Sequence, residues 1–133
     1  MQALSRQRTR AQGFTLIELI VVMAIVALLA GIAAPRYFAK VDAARSHALR
    51  SSLNVMRSAI DHFAADKARY PDTLQELVEA RYLRQIPEDP LSGSRSAWLL
   101  LPPPAELEMA GQVFDVKSGT PGRAPDGSLY ADW

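Results

Sequence analysis

Between Phe14 and Ala34 the chain reads FTLIELIVVMAIVALLAGIAA, 21 residues carrying a single charge, Glu18. A helix of that length rises about 30 Å, the thickness of a bilayer's hydrocarbon core. In lipid an unpaired carboxylate costs a few kcal/mol, so the run and its one acid must be explained together. Upstream lies MQALSRQRTRAQG, which holds three arginines and no acid. Arg6, Arg8 and Arg10 favour a cytoplasmic N-terminus, an asymmetry weakened by Arg36 and Lys40 on the far side. The rest of the chain is then expected to be exported. If the chain is cut after Gly13, the new amine of Phe14 supplies the positive charge that Glu18 lacks. That amine would lie about one helical turn from the carboxylate. It could pair within its own chain, or with a neighbour's Glu18 once chains assemble. The second pairing would favour adding a subunit and would set its axial register.

A secretory signal peptide would use the same run as its apolar region and be cut near the small residues 30–34. Glu18 is out of place at the head of such a region, and Pro35 directly follows the best cut site. A plain uncleaved anchor leaves Glu18 without a purpose. A carboxylate near a helix end can also snorkel to the headgroups.

The 98 residues from Arg36 to Trp133 suffice for a modest core. Net charge is +1, which argues against nucleic acid as a partner. Charge is unevenly spread: +3 in residues 1–13, −1 in 14–35, +4 in 36–70 and −5 in 71–133. The chain has no cysteine, which rules out disulfides, iron–sulfur clusters and thiol catalysis.

Pro35 removes a backbone donor and is expected to bend a helix, but the helical pattern continues beyond it. Leu49, Leu53, Met56, Ile60 and Phe63 recur at alternating spacings of four and three, with Val41 and Ala48 extending the stripe upstream. One helix is predicted from about Thr15 to Ala65, apolar all round in its first half and amphipathic in its second. Arg36, Lys40, Arg45, Arg50 and Arg57 make that second half basic. They form a solvated face, or they meet the acidic C-terminal part of neighbouring subunits. His47 and His62 lack clustered ligands and are expected to be ordinary surface residues.

Beyond Tyr70-Pro71, Thr73-Leu74-Gln75-Glu76 has the form of a capping box and predicts a helix from Leu74 to about Arg81. Leu74, Leu77 and Val78 would be its buried face. Residues 86–93 are rich in turn formers. Ala97–Leu101 is predicted as a buried strand and Gln112–Lys117 as a second, alternating at Val113 and Asp115. Pro102-Pro103-Pro104 forms a stiff spacer between them. Ser118–Ser128 is predicted as a loop, and Leu129–Trp133 as a third short strand. The fold class expected is α+β: a long N-terminal helix on a small antiparallel sheet.

Gly13-Phe14-Thr15-Leu16-Ile17-Glu18, followed by about 16 uncharged residues and Pro35, resembles the leader and first helix of the type IV pilin-like family. Arg69-Tyr70-Pro71, Pro87-Glu88-Asp89-Pro90 and the ending Asp126-Gly127-Ser128-Leu129-Tyr130-Ala131-Asp132-Trp133 are similar to the major pseudopilins of type II secretion. The resemblance implies a pilin-like fold and three regions: a leader at 1–13, a transmembrane and assembly helix at 14–35, and a periplasmic domain at 36–133. It implies cleavage between Gly13 and Phe14 by a prepilin peptidase, N-methylation of Phe14, and an assembly role for Glu18. It places the chain in the bacterial inner membrane, with other copies, other pseudopilins and an inner-membrane assembly platform as partners in a periplasmic fibre. Major pseudopilins hold their C-terminal loop with calcium, an ion that takes six to eight oxygens. Asp115, Ser118, Asp126 and Asp132 are the oxygens this chain could offer, in no EF-hand spacing. Alternatively, Asp126-Gly127 simply makes a turn, and Tyr130 and Trp133 clamp the loop by packing.

Three function classes follow. A pseudopilin subunit fits the leader, Glu18 and the C-terminal half. A type IV pilin of a surface filament shares the leader, but such pilins usually close their C-terminal loop with a disulfide. Glu18 argues against the tip-capping minor pseudopilin, which characteristically lacks this acid. An enzyme is disfavoured because no nucleophile–base pattern, phosphate loop or zinc spacing is present.

Overall fold

The computed structural model describes residues 12–133. The arginines of the leader therefore lie outside the described residues. Helix α1 runs Leu16–Lys67 and α2 Leu74–Glu79; strands β1 and β2 are Trp98–Leu101 and Asp115–Ser118. Single 3-10 turns occupy Ala105–Leu107 and Tyr130–Asp132. The chain divides into two compact units, with the boundary between Tyr37 and Phe38.

In the first unit every described residue is exposed. Leu16 is 77% exposed, Leu28 67% and Ile32 56%. A contiguous apolar surface of this kind is stable only against lipid or another apolar surface. The hydrogen-bonded helix continues across Pro35, whose missing N–H removes one bond of the ladder.

The second unit is built on the stripe of α1. Leu49, Leu53, Met56, Ile60 and Phe63 are all buried to within 1%. Upstream the stripe departs from expectation. Ala48 is exposed and Val41 only half-buried, and Ser46 takes the next position in the three–four spacing. A polar residue can be buried there because its hydroxyl is satisfied, by the Asp42 carbonyl and the Tyr130 hydroxyl, each at 3.0 Å. The helix ends where Ala68 turns left-handed (φ 53°), its N–H still reaching the Ala64 carbonyl.

Thr73 caps α2, its hydroxyl accepting from the Glu76 N–H at 3.2 Å. The return limb of the box is shifted by one residue. The Glu76 carboxylate accepts from the Asp72 N–H at 2.8 Å and pairs with the Arg69 guanidinium. α2 stops before Arg81, which is left-handed (φ 66°) and breaks the ladder. Leu74 and Leu77 are buried, and Val78 packs at their edge.

The sheet has two antiparallel strands, in register from Trp98 opposite Ser118 to Leu101 opposite Asp115. Three predicted features are corrected. Leu129–Trp133 is not a third strand: it forms an isolated bridge from Leu129 to Arg123 and then a 3-10 turn that packs on β2. β1 is therefore an outer strand and not a buried one; Trp98 is buried, but Leu99 and Leu100 are 53% and 44% exposed. β2 also begins later than predicted. The N–H groups of Gln112 and Val113 both point to the Pro71 carbonyl, and pairing with β1 begins only when Phe114 donates to Leu101. Val113, Val116 and Ser118 line the core, while Asp115 and Lys117 stay half-exposed.

Candidate functional site

The first turn of α1 carries the sequence-predicted processing residues. Phe14 is 88% exposed, with Gly13 beside it in open space. Thr15 caps the helix: its hydroxyl accepts from the Glu18 N–H at 3.3 Å, and its own N–H faces the Glu18 carboxylate at 3.5 Å. The second contact is at the limit of a hydrogen bond. Glu18 thus closes a capping box with Thr15, a role that the T-x-x-E spacing advertises and that the isolation of this acid in an apolar run obscures. Among the described residues Glu18 has no ion-pair partner. With the Gly13–Phe14 peptide intact the Phe14 nitrogen is an amide and cannot be one. Cutting that bond would create an amine one turn from a carboxylate whose one contact among the described residues is weak.

Three of the four candidate calcium ligands each have partners of their own. Asp115 accepts from Arg57 Nε at 2.7 Å, and Arg57 also donates to the Val116 carbonyl at 2.9 Å. Ser118 is fully buried and donates to Asp89 Oδ2 at 3.0 Å. Asp126 accepts from the Ser128 hydroxyl (2.6 Å), the Ser128 N–H (2.9 Å) and Arg50 (3.1 Å). These bonds, the serine hydroxyl first and the guanidinium last, hold its carboxyl below the usual range. Asp132 is exposed in the C-terminal 3-10 turn. Among the described residues no three His, Asp or Glu side chains gather so as to hold a metal ion. An ion at Asp115 or Asp126 would share its carboxylate with an arginine. Asp115, Asp126 and Asp132 thus do not gather into one acidic cluster.

Two residues have larger roles than their sequence context suggests. Asp89, in the turn-rich segment, is a fully buried carboxylate. It accepts from the Leu91 N–H at 2.8 Å and from the hydroxyls of Ser118 and Thr120 at 3.0 and 2.7 Å. It ties the turn after α2 to the end of β2. Arg50 spans Asp126 and the face of Trp133. Arg50 and Arg57 therefore meet the acidic C-terminal half within their own chain. Arg36, Lys40 and Arg45 make no ion pair among the described residues. His47 lines a small cavity beside Arg50 and Trp133, and His62 lies exposed on α1.

A capped apolar helix with an acid in its first turn, continuous with an amphipathic helix on a small sheet, defines a pilin-like protein. Residues 8–34 match the prokaryotic N-terminal methylation motif. The type II secretion system core protein G of Klebsiella michiganensis is 34% identical over 103 residues, covering 65% of this chain and 72% of that one. Its counterpart in Pseudomonas aeruginosa is 30% identical over 100 residues, covering 63% and 70%. The type IV major pilin protein PilA of Myxococcus xanthus is 36% identical over 73 residues, covering 55% of this chain and 33% of the pilin. No solved structure matches the chain. The chain belongs to the type II secretion system core protein G family.

Proposed function

We propose that this protein is a structural subunit of a periplasmic pseudopilus that serves type II protein secretion. A prepilin peptidase cuts between Gly13 and Phe14, and Phe14 is then N-methylated. Phe14–Pro35 anchors the precursor in the inner membrane as a single span, and residues 36–133 fold in the periplasm. The assembly platform draws subunits from the membrane to join copies of themselves and other pseudopilins. The observation that carries this reading is Glu18, without an ion-pair partner among the described residues, one turn from the bond whose cleavage makes an amine. Transfer from lipid into a bundle of apolar helices leaves the exposed faces of Leu16–Ile32 covered throughout. The ion pair removes the cost of carrying a carboxylate into that bundle.

The test is deletion of the gene in its host, followed by comparison of the secreted proteins with twitching motility. Loss of secretion with motility intact is expected. The reverse result would favour the second reading, a subunit of a type IV surface filament, which the similarity to the M. xanthus pilin supports.

A further inference from the structure

We propose that the guanidinium of Arg50 is the resident cation of the C-terminal loop, so that the loop closes without a metal ion. The inference is independent of the secretion role. It rests on a closed ring of contacts. Arg50 Nη2 donates to Asp126 Oδ2 at 3.1 Å, and Arg50 Cζ lies 4.0 Å from the centre of the Trp133 ring. Trp133 Nε1 donates to Ser128 Oγ at 2.8 Å, and Ser128 Oγ donates to Asp126 Oδ1 at 2.6 Å. Donation runs one way round, from indole to hydroxyl to carboxylate, and the guanidinium closes the circuit with its edge on the acid and its face on the ring. Only a planar cation presents an edge and a face at once. Bonds that run head to tail in this way also reinforce one another.

The helix positions the cation. Ser46 and Arg50 are one turn apart on α1, on either side of the buried Leu49. Ser46 holds the Tyr130 hydroxyl at 3.0 Å, and Tyr130 stacks edge-on against Trp133, with ring centres 5.1 Å apart. Two consecutive turns of one rigid element thus hold residues 126, 130 and 133. A calcium ion could not replace this arrangement. It needs six to eight oxygens, whereas Trp133 offers a ring and both oxygens of Asp126 are already engaged.

The experiment uses the full chain in detergent micelles, with melting followed by tryptophan fluorescence and loop opening by trypsin cleavage after Arg123. Each is measured in millimolar calcium and in chelator. The wild-type protein should melt at one temperature in both and be cut after Arg123 at one rate. Arg50→Ala should lower the melting temperature by about 4–8 °C in both and speed that cleavage severalfold. Arg50→Lys, which keeps the charge but not the plane, should fall between. A wild-type melting temperature that rises with calcium, or a loop that calcium protects from trypsin, would overturn the proposal. So would Arg50→Ala and Arg50→Met variants that melt and are cut like the wild type. If no Arg50 variant folds, the calcium comparison on the wild-type protein decides by itself.

Discussion

On the proposed reading, Glu18 serves two states of the chain. In the uncut protein it closes a capping box with Thr15 through contacts of 3.3 and 3.5 Å, long enough to be given up. After cleavage the Phe14 amine would compete for the same carboxylate with a full positive charge, which the Thr15 N–H lacks. Glu18→Gln keeps the hydrogen-bonding shape of the cap and removes the charge. It should insert into the membrane normally yet assemble poorly, as judged by crosslinked oligomers in membranes. Undiminished fibre formation would mean that Glu18 matters only as a cap. Glu76 makes a different kind of prediction. Arg69, then the Asp72 N–H, hold its carboxyl below the usual carboxylate range. A group whose folded pKa is depressed adds stability above its unfolded pKa and loses it as pH falls through the folded one. Melting temperature should therefore drop as pH falls below about 4. Glu76→Gln should flatten that part of the curve while lowering stability at neutral pH; an unaltered acid limb would assign the drop to other acids, such as Asp126.

Among the elements, the second half of α1 carries the packing. Met56 is fully buried in the middle of its stripe. Met56→Ala leaves a cavity and should cost about 2–5 kcal/mol of stability in denaturant titration. Val55, one residue earlier and 51% exposed, should tolerate the same change with little loss. The crossing of two loops is as strict as the core. Tyr70 N–H donates to the Ala110 carbonyl at 2.7 Å, and Gly111 follows with φ 121°. A Cβ on Gly111 would lie 2.3 Å from the Tyr70 carbonyl oxygen. Gly111→Ala should destabilise by about 1–3 kcal/mol through strain and overlap together. A neutral result would show that the crossing can open. The apolar stripe announced α1 from spacing alone, and the T-x-x-E pattern announced α2. The strands were harder to place. Nothing in Leu99-Leu100 says that they lie on an outer strand, because that depends on whether residues 129–133 pair beyond the sheet or turn across it.

For the molecule as a whole, the proposed processing is the event to test. Mass analysis of protein from its native host should find a chain beginning at methylated Phe14. A chain beginning near Ala34 would mean an ordinary secretory signal, and an intact leader on assembled protein would remove the charge match altogether. The basic second half of α1 and the acidic C-terminal half suggested contacts between subunits. Two of those cations, Arg50 and Arg57, are instead used inside one chain, on Asp126 and Asp115. Arg36, Lys40 and Arg45 make no ion pair among the described residues, so charge reversal at these three positions is where the proposed contacts between subunits should be sought. The sequence by itself determined the leader motif, the apolar span, its stranded acid and the buried stripe, because each is written in local spacing along one helix. Only the tertiary structure decided how the C-terminal loop is held, because Arg50 and Asp126 stand 76 positions apart and meet only once the chain has folded back on α1.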